Sequence, residues 1–225
     1  MRIFLFTFFI TIINISLQKN IFATPNSQLK FVENKNQWDD EVKYKSDLQG
    51  GHIYFASDYF QYVYYSTQDL EKIHDLKHEQ SSDPYKEKVN CYAYNVKFLY
   101  ANSQSNILPN QKMDYYENYF IGNDAKKWAG NVRVFENIIY KDIYKNIDVK
   151  AYSVGTSFKY DLIVNPNGDV NNIKLQYNGI KPQLLQNGNL KMDVGFNTIE
   201  ETAPFCYQII GNKKVEIKSK YVLIS

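Results

Sequence analysis

Histidine, cysteine and an excess of either charge are what this 225-residue sequence lacks, and each shortage removes a class of chemistry. The three histidines, His52, His74 and His78, all lie between positions 52 and 78. No serine has the context of a nucleophile elbow, which counts against a serine–histidine–acid triad. The two cysteines, Cys91 and Cys206, each sit in a strand-like run and are expected as two buried free thiols rather than a bridge, although export would permit one. Basic residues number 26 and acidic ones 24, with no Lys/Arg cluster beyond the pairs Lys126-Lys127 and Lys213-Lys214. A surface so balanced has little long-range pull toward nucleic acid, which is excluded as a partner, or toward anionic lipid.

A long apolar run is also missing. Positions 3–17 are apolar but are broken by Thr7, Thr11, Asn14 and Ser16, and fall short of the roughly 20 residues that a spanning helix needs. Arg2 precedes this run, and a polar stretch ending at the small Ala23 follows it, which is the layout of a cleavable secretory signal peptide over residues 1–23. Its removal takes Arg2 and Lys19 and no acid, and leaves 24 residues of each sign. The expected product is an extracytoplasmic domain over 24–225, secreted or at the cell surface, with the periplasm as the alternative and no integral membrane segment.

The mature part is rich in tyrosine, with 20 residues, and its periodicity is two. Large residues alternate through Tyr92, Tyr94, Val96, Phe98 and Tyr100, through Phe158, Tyr160, Leu162 and Val164, and through Ile173, Leu175 and Tyr177. Asn187-Gly188 and Gly211-Asn212 each separate two strand-like runs and predict hairpins. Together these imply an all-β, antiparallel, sandwich-like fold with little helix. Amphipathic stretches of helical length between strands are missing, which argues against α/β. Thr67 to His78 is the one helix expected. Gln80 to Glu87 reads as an exposed loop. The polar, turn-rich stretch 101–111 is the candidate seam if the domain consists of two small β units. The final Tyr221-Val222-Leu223-Ile224 reads as a strand-like run, so that the sequence looks truncated or tightly terminated.

Motifs for chemistry are incomplete. His74 and His78 have the i, i+4 spacing of a zinc pair, but Asp75 replaces the glutamate of the zincin pattern and the third ligand would have to be His52. Asn165 to Asn171 alternates oxygen-bearing side chains, as a calcium loop does. Val170 occupies the position of the required glycine, and an Asx-rich turn is expected instead. Asp39, Asp40, Glu41, Asp148, Asp161, Glu200 and Glu201 are the carboxylates a glycosidase would draw on, but adjacent acids on a strand point to opposite faces. No metal, cofactor or catalytic residue is therefore assigned, and the chain is not read as an enzyme. Trp38, Trp128 and Tyr116 are the candidate ligand platform, for a surface glycan or a protein.

Five segments occur in an order that carries a resemblance: Phe31 to Trp38; Tyr115 to Asp124 with Trp128; Ile143 to Val149; Phe158 to Val164; and Ala203 to Gln208. The set resembles the N-terminal domain of large Bacteroidetes surface proteins of the gliding-motility-associated and SBBP-repeat kind. The resemblance implies a secreted or outer-surface protein, often exported by the type IX route, and no catalytic activity. Relatives continue into propeller-like or immunoglobulin-like repeats and a sorting domain that this sequence does not contain. Asn36 and Asn146 stand where that family has glycine. Asparagine is the non-glycine residue that best tolerates positive φ, so the turns are expected to persist there. Lys145 stands in place of a proline, which loosens its turn. Tyr59 follows Ser57-Asp58 in place of a glycine, which predicts a longer loop. Cys206 stands where a small residue is usual. The expected function is a non-catalytic surface module for adhesion, scaffolding or presentation of neighbouring domains, with a carbohydrate-binding module as the alternative and a glycoside or ester hydrolase behind it.

Overall fold

The computed structural model describes residues 28–79 and 87–224, and the expected signal peptide and all of the expected loop 80–87 except Glu87 lie outside the described residues. The fold is antiparallel β, as the alternation implies. The strands are β1 (Phe31–Glu33), β2 (Tyr44–Leu48), β3 (Gly51–Phe55), β4 (Tyr59–Tyr65), β5 (Cys91–Phe98), β6 (Asn106–Tyr119), β7 (Ala129–Tyr144), β8 (Ile147–Val154), β9 (Ser157–Val164), β10 (Leu175–Asn178), β11 (Gln183–Leu184), β12 (Leu190–Asp193), β13 (Thr198–Glu201), β14 (Cys206–Ile210) and β15 (Lys213–Ile217). Ten of them form one sheet in the order β10-β5-β4-β3-β2-β1-β7-β8-β9, with β6 on β7. The sequences β11-β12-β13 and β14-β15 form two smaller sheets.

The long strand β7 turns this sheet into a sandwich. One of its edges is bound along its length by β6, and the other by β1 through Val134 and Phe135 and then by β8 from Ile138 onward. The β8–β9 arm folds back over the inner face of β3–β5. Phe60 on β4 lies at the centre of the core, with ring centroids 5.0 Å from Phe98, 5.3 Å from Phe55, 5.6 Å from Tyr140, 5.5 Å from Tyr160 and 5.8 Å from Phe158. Edge-to-face packing of such rings adds to the burial of their area. Met192 and Ile199 of the three-stranded sheet, with Val194 beside them, join this core.

The bend in β7 is held by Asp148. Pairing with β8 shifts register between Tyr140 and Tyr144, and Asp142 there has φ 50°. The buried Asp148 carboxylate accepts the Asp142 N–H at 2.8 Å and the Asn165 amide at 3.3 Å, and pairs with Lys141. At the β2–β3 hairpin the requirement is for glycine: Gly50 has φ 75°, and a Cβ on Gly51 would lie 2.0 Å from the Val63 carbonyl oxygen.

The expected helix is α1 (Thr67–Glu79). Ser66 caps it, its Oγ accepting the Asp69 N–H at 3.2 Å. Both expected hairpins form. Asn36 and Asn146 have φ 83° and 58°, so the turns persist with asparagine in the left-handed region. The β7–β8 turn needs only Lys145 and Asn146 between the paired Tyr144 and Ile147. Strands β3 and β4 are joined by residues 56–58, closed by Ala56 N–H to Tyr59 C=O at 3.0 Å.

Four expectations are corrected. The stretch 101–111 is irregular only to Ser105; from Asn106 it is β6, bound to β7 and sharing the sheet with strands from both halves of the chain. Pro109 is tolerated there because β6 has a free edge. Tyr100 does not extend β5: the strand ends at Phe98, and Tyr100 has φ 61° and is 80% exposed. Of the cysteines only Cys206 is buried; both are free, and Cys91 faces solvent because it falls out of phase with Tyr92 and Tyr94. Residues 218–224 form no strand. Among the described residues no helix is long and apolar enough to cross a membrane.

Candidate functional site

Trp38 is positioned by a loop that folds around one asparagine. The Asn34 side-chain oxygen accepts the N–H groups of Asn36 and Trp38, at 3.1 and 3.2 Å. Its amide donates to the carbonyls of Asp39 and Val42, both at 2.8 Å. Gln37 donates to the Glu33 carbonyl at 2.7 Å, and Lys35 reaches the Gly130 carbonyl at 3.0 Å. This self-bonded loop lays the half-buried Trp38 over a small second core of Val32, Ala129, Val132 and Val134 on the outer face of the large sheet.

From Trp38 a line of rings runs along that face. Its centroid is 5.3 Å from Tyr119 and 6.2 Å from Tyr54; Tyr54 is 4.7 Å from His52, which is 5.5 Å from Tyr65. The period of the strands requires this arrangement: Ile53, Tyr62 and Tyr64 face the core, so His52, Tyr54 and Tyr65 face outward. Cross-strand pairing then aligns Val32, Lys45, Tyr54, Gln61, Asn95 and Asn178 in one row over six strands. At the usual strand spacing that row is about 24 Å long. The Asn178 amide donates to Asn95 at 2.8 Å. Lys45 stands over the Trp38 ring at 5.8 Å and pairs with Asp47 at 2.7 Å. Burial, with Lys45 nearby, pushes His52 down to about 4, so it presents a neutral imidazole. Trp38 meets Tyr54 and Tyr119 edge to face, and the surface is a corrugated strip rather than a flat platform.

The three platform candidates do not share a surface. Ala129 packs under Trp38, whereas a Cβ on the next residue, Gly130, would lie 3.6 Å from the Phe120 ring. Phe120 in turn meets Trp128 edge to face at 6.0 Å. Tyr116 pairs with Arg133, which lies between Val132 and Val134 and so points away from Trp38. Trp128 and Tyr116 therefore sit on the opposite face of the β6–β7 hairpin from Trp38. Arg133 there clamps the buried Glu33, through Nε at 2.7 Å and Nη2 at 2.6 Å.

The carboxylates are dispersed and engaged. Asp148 holds the β7 bend. Asp161 lies on the outer face of β9, accepts the Tyr152 hydroxyl at 3.1 Å, and is pushed up to about 6 by burial. Glu200 accepts the Asn189 amide. Glu201 points inward, in phase with the buried Ile199, into a nest of tyrosines. It accepts the hydroxyls of Tyr221 at 2.7 Å and Tyr177 at 2.9 Å, and burial lifts it to about 7 against those hydrogen bonds. The Tyr160 hydroxyl approaches the same carboxylate. Sequence reasoning named Glu201 only as an acid; its phase with Ile199 was the signal of its burial. Asp161 and Glu201 lie on opposite sides of β9, because the intervening Tyr160 faces the core.

The segment 165–171 is an Asx turn: Asp169 accepts the backbone N–H and the amide of Asn171 and caps a 3-10 turn over Val170–Asn172. His74 lies on α1 as expected, and the His78 side chain is outside the described residues. Among the described residues no three His, Cys, Asp or Glu side chains are grouped to hold a metal ion.

The sequence pattern of one family, described as Domain of unknown function (DUF7948), matches residues 31–225. No curated protein and no solved structure matches the chain.

Proposed function

The chain belongs to the DUF7948 family, and on that premise we propose that it is a non-catalytic recognition module of an exported surface protein, holding a glycan across the outer face of its large sheet. The observation that carries this reading is the strip from Tyr119 through Trp38, Tyr54 and His52 to Tyr65, flanked by the amides of Gln61, Asn95 and Asn178. Sugars present apolar C–H faces beside hydroxyls. Half-exposed rings suit the first and side-chain amides the second. The cross-strand row through Tyr54 that carries these amides, about 24 Å long, gives room for an extended oligosaccharide rather than a single ring. Adhesion, or presentation of neighbouring domains, is what such a module contributes.

Export rests on the N-terminal pattern of residues 1–23 and on the resemblance of the ordered segments. The non-catalytic reading is supported by the commitment of Asp148, Asp161, Glu200 and Glu201 to internal hydrogen bonds. A glycan array probed with the chain from Thr24 onward tests the proposal. Binding is expected, and is expected to be lost in Trp38→Ala and Tyr54→Ala but retained in Trp128→Ala. A silent array, or binding that survives both of the first two changes, counts against it.

A further inference from the structure

The β14–β15 hairpin is a two-stranded sheet of its own, and among the described residues neither strand pairs with any other. Such a hairpin is marginal in water, and its outer edge keeps a row of unpaired backbone groups. β14 begins buried at Cys206 and Tyr207, whereas Lys213 to Glu216 are all exposed, so β15 is the outer strand. The free edge of the longer β6 is blunted by Pro109 and by two breaks of register against β7. β15 has neither a proline nor a break of register. The turn fixes which of its backbone groups face outward. Gly211-Asn212 is a two-residue connection, so Ile210 and Lys213 close the ladder as a hydrogen-bonded pair. Ladder bonds alternate sides along an antiparallel strand. Lys213, Val215 and Ile217 therefore bond toward β14, and the N–H and C=O of Lys214 and Glu216 point to the open edge.

We propose that β15 is the seam of a two-fold symmetric dimer, pairing antiparallel with β15 of a second copy of this chain around Val215. In that register Lys214 lies opposite the partner's Glu216, exchanges both backbone bonds with it and gains an ion pair, and symmetry repeats the contact. Val215, 41% exposed in the single chain, is covered by the partner's Val215, and the stem of Lys213 lies along the partner's Ile217. Charge selects a second copy as the occupant. Lys214 and Glu216 are opposite charges set symmetrically about Val215, a pattern that complements itself when one strand is turned antiparallel onto another like it. A register two residues away sets Lys214 against Lys214 or Glu216 against Glu216, and parallel pairing puts like beside like, both of which are destabilising. Lysines on an edge usually protect it from partners. Here their spacing admits the one register in which Lys214 meets an acid. In the single chain the Lys214 ammonium lies 4.4 Å from the centroid of the Tyr207 ring, and its flexible stem lets it turn to the partner's Glu216. The contact is small, so dissociation in the micromolar range or weaker is expected. Two copies joined in this way carry two ring strips, which adds bivalent attachment to the glycan reading. The pairing itself does not depend on that reading.

Disulfide trapping and sedimentation equilibrium test the seam on the chain from Thr24 onward, which contains every described element and the whole family match. Cys91→Ser and Cys206→Ala remove the natural thiols, of which Cys91 is exposed. In that background Val215→Cys is expected to oxidise to a covalent dimer, since opposite residues without ladder bonds between them stand about 4.5 Å apart at Cα, within disulfide reach. Lys213→Cys alone and Ile217→Cys alone are expected to stay monomeric, and an equal mixture of the two to cross-link. In sedimentation the unaltered chain is expected to associate as concentration rises. Glu216→Lys and Lys214→Glu are each expected to weaken that association by about tenfold or more. Their equal mixture is expected to restore it, because each variant then faces its opposite charge. Circular dichroism checks that each variant is folded. A monomer at every concentration, cross-linking that is equal at positions 213, 215 and 217, or a mixture of the two charge variants that fails to associate would overturn the proposal.

Discussion

The Tyr221 hydroxyl donates a 2.7 Å hydrogen bond to the buried carboxylate of Glu201, and so fastens the irregular segment 218–224 to the three-stranded sheet. The same hydroxyl lies 3.3 Å from the Thr202 carbonyl, and Ser219 adds a bond to the Pro204 carbonyl at 2.8 Å. Beyond this anchor Val222, Leu223 and Ile224 are exposed. The apolar run at 221–224 thus divides at one residue, whose ring is needed inside.

Glu201 makes stability depend on pH. Its carboxyl is lifted from 4.5 to about 7 in the fold by burial, so the native state holds the proton more tightly than the unfolded chain. The contribution is full below about 4.5 and is lost as pH rises through about 7, a loss on the order of 3 kcal/mol. Asp161, raised to about 6, adds in the same direction, whereas His52, lowered to about 4, acts oppositely between that value and its ordinary 6.5. The difference between wild type and Glu201→Gln isolates the one group. Urea midpoints at pH 5 and pH 8 should show wild type losing stability, relative to Glu201→Gln, at the higher pH. Tyr221→Phe should cost about 2 kcal/mol at pH 8, where it removes a hydrogen bond to a charged acceptor. It should also move the transition further up in pH. A parallel pH response in wild type and Glu201→Gln would refute the assignment.

Asp148 is expected to be the most costly of the acids to remove. Asp148→Ala would strand the Asp142 N–H in the bend of β7 and leave Lys141 without its partner. The expected loss is about 3 kcal/mol or more by urea denaturation. Glu200→Ala, on the outward-facing neighbour of Glu201, should stay within about 1 kcal/mol.

Asn36 has φ 83°, a conformation that costs a residue with a Cβ. Asn36→Gly should be neutral or slightly stabilising, while Asn36→Ala should lose about 1 kcal/mol in thermal or urea unfolding. Equal stability of the two variants would mean that the backbone relaxes and that asparagine is not there for its φ.

Much of the fold was legible because its signals are local. Phe158, Tyr160, Leu162 and Val164 are all buried, as their alternation required, and the Asn-Gly and Gly-Asn turns made their hairpins. The failures came where tertiary pairing overrode local polarity. Residues 106–111 looked like a linker, yet β7 offers them a full edge of backbone partners, and that decides a strand more strongly than side-chain polarity does. The site was legible in kind only. Trp38 was a candidate from its residue type, but its neighbours in the ring strip come from β3, β4 and β6.

By itself the sequence determined the strand phases, the turns and the absence of a complete catalytic motif, because each depends on residues a few positions apart. Which outward positions become neighbours was decided only by the tertiary structure. Strand register places Tyr54 beside Lys45 and Gln61, and the reach of the long hairpin brings Tyr119 to Trp38 while turning Trp128 to the other face. Burial of Glu201 was decided there too, since a carboxylate in phase with one isoleucine enters the core only when tyrosines from β10 and from the 218–224 segment converge to accept it.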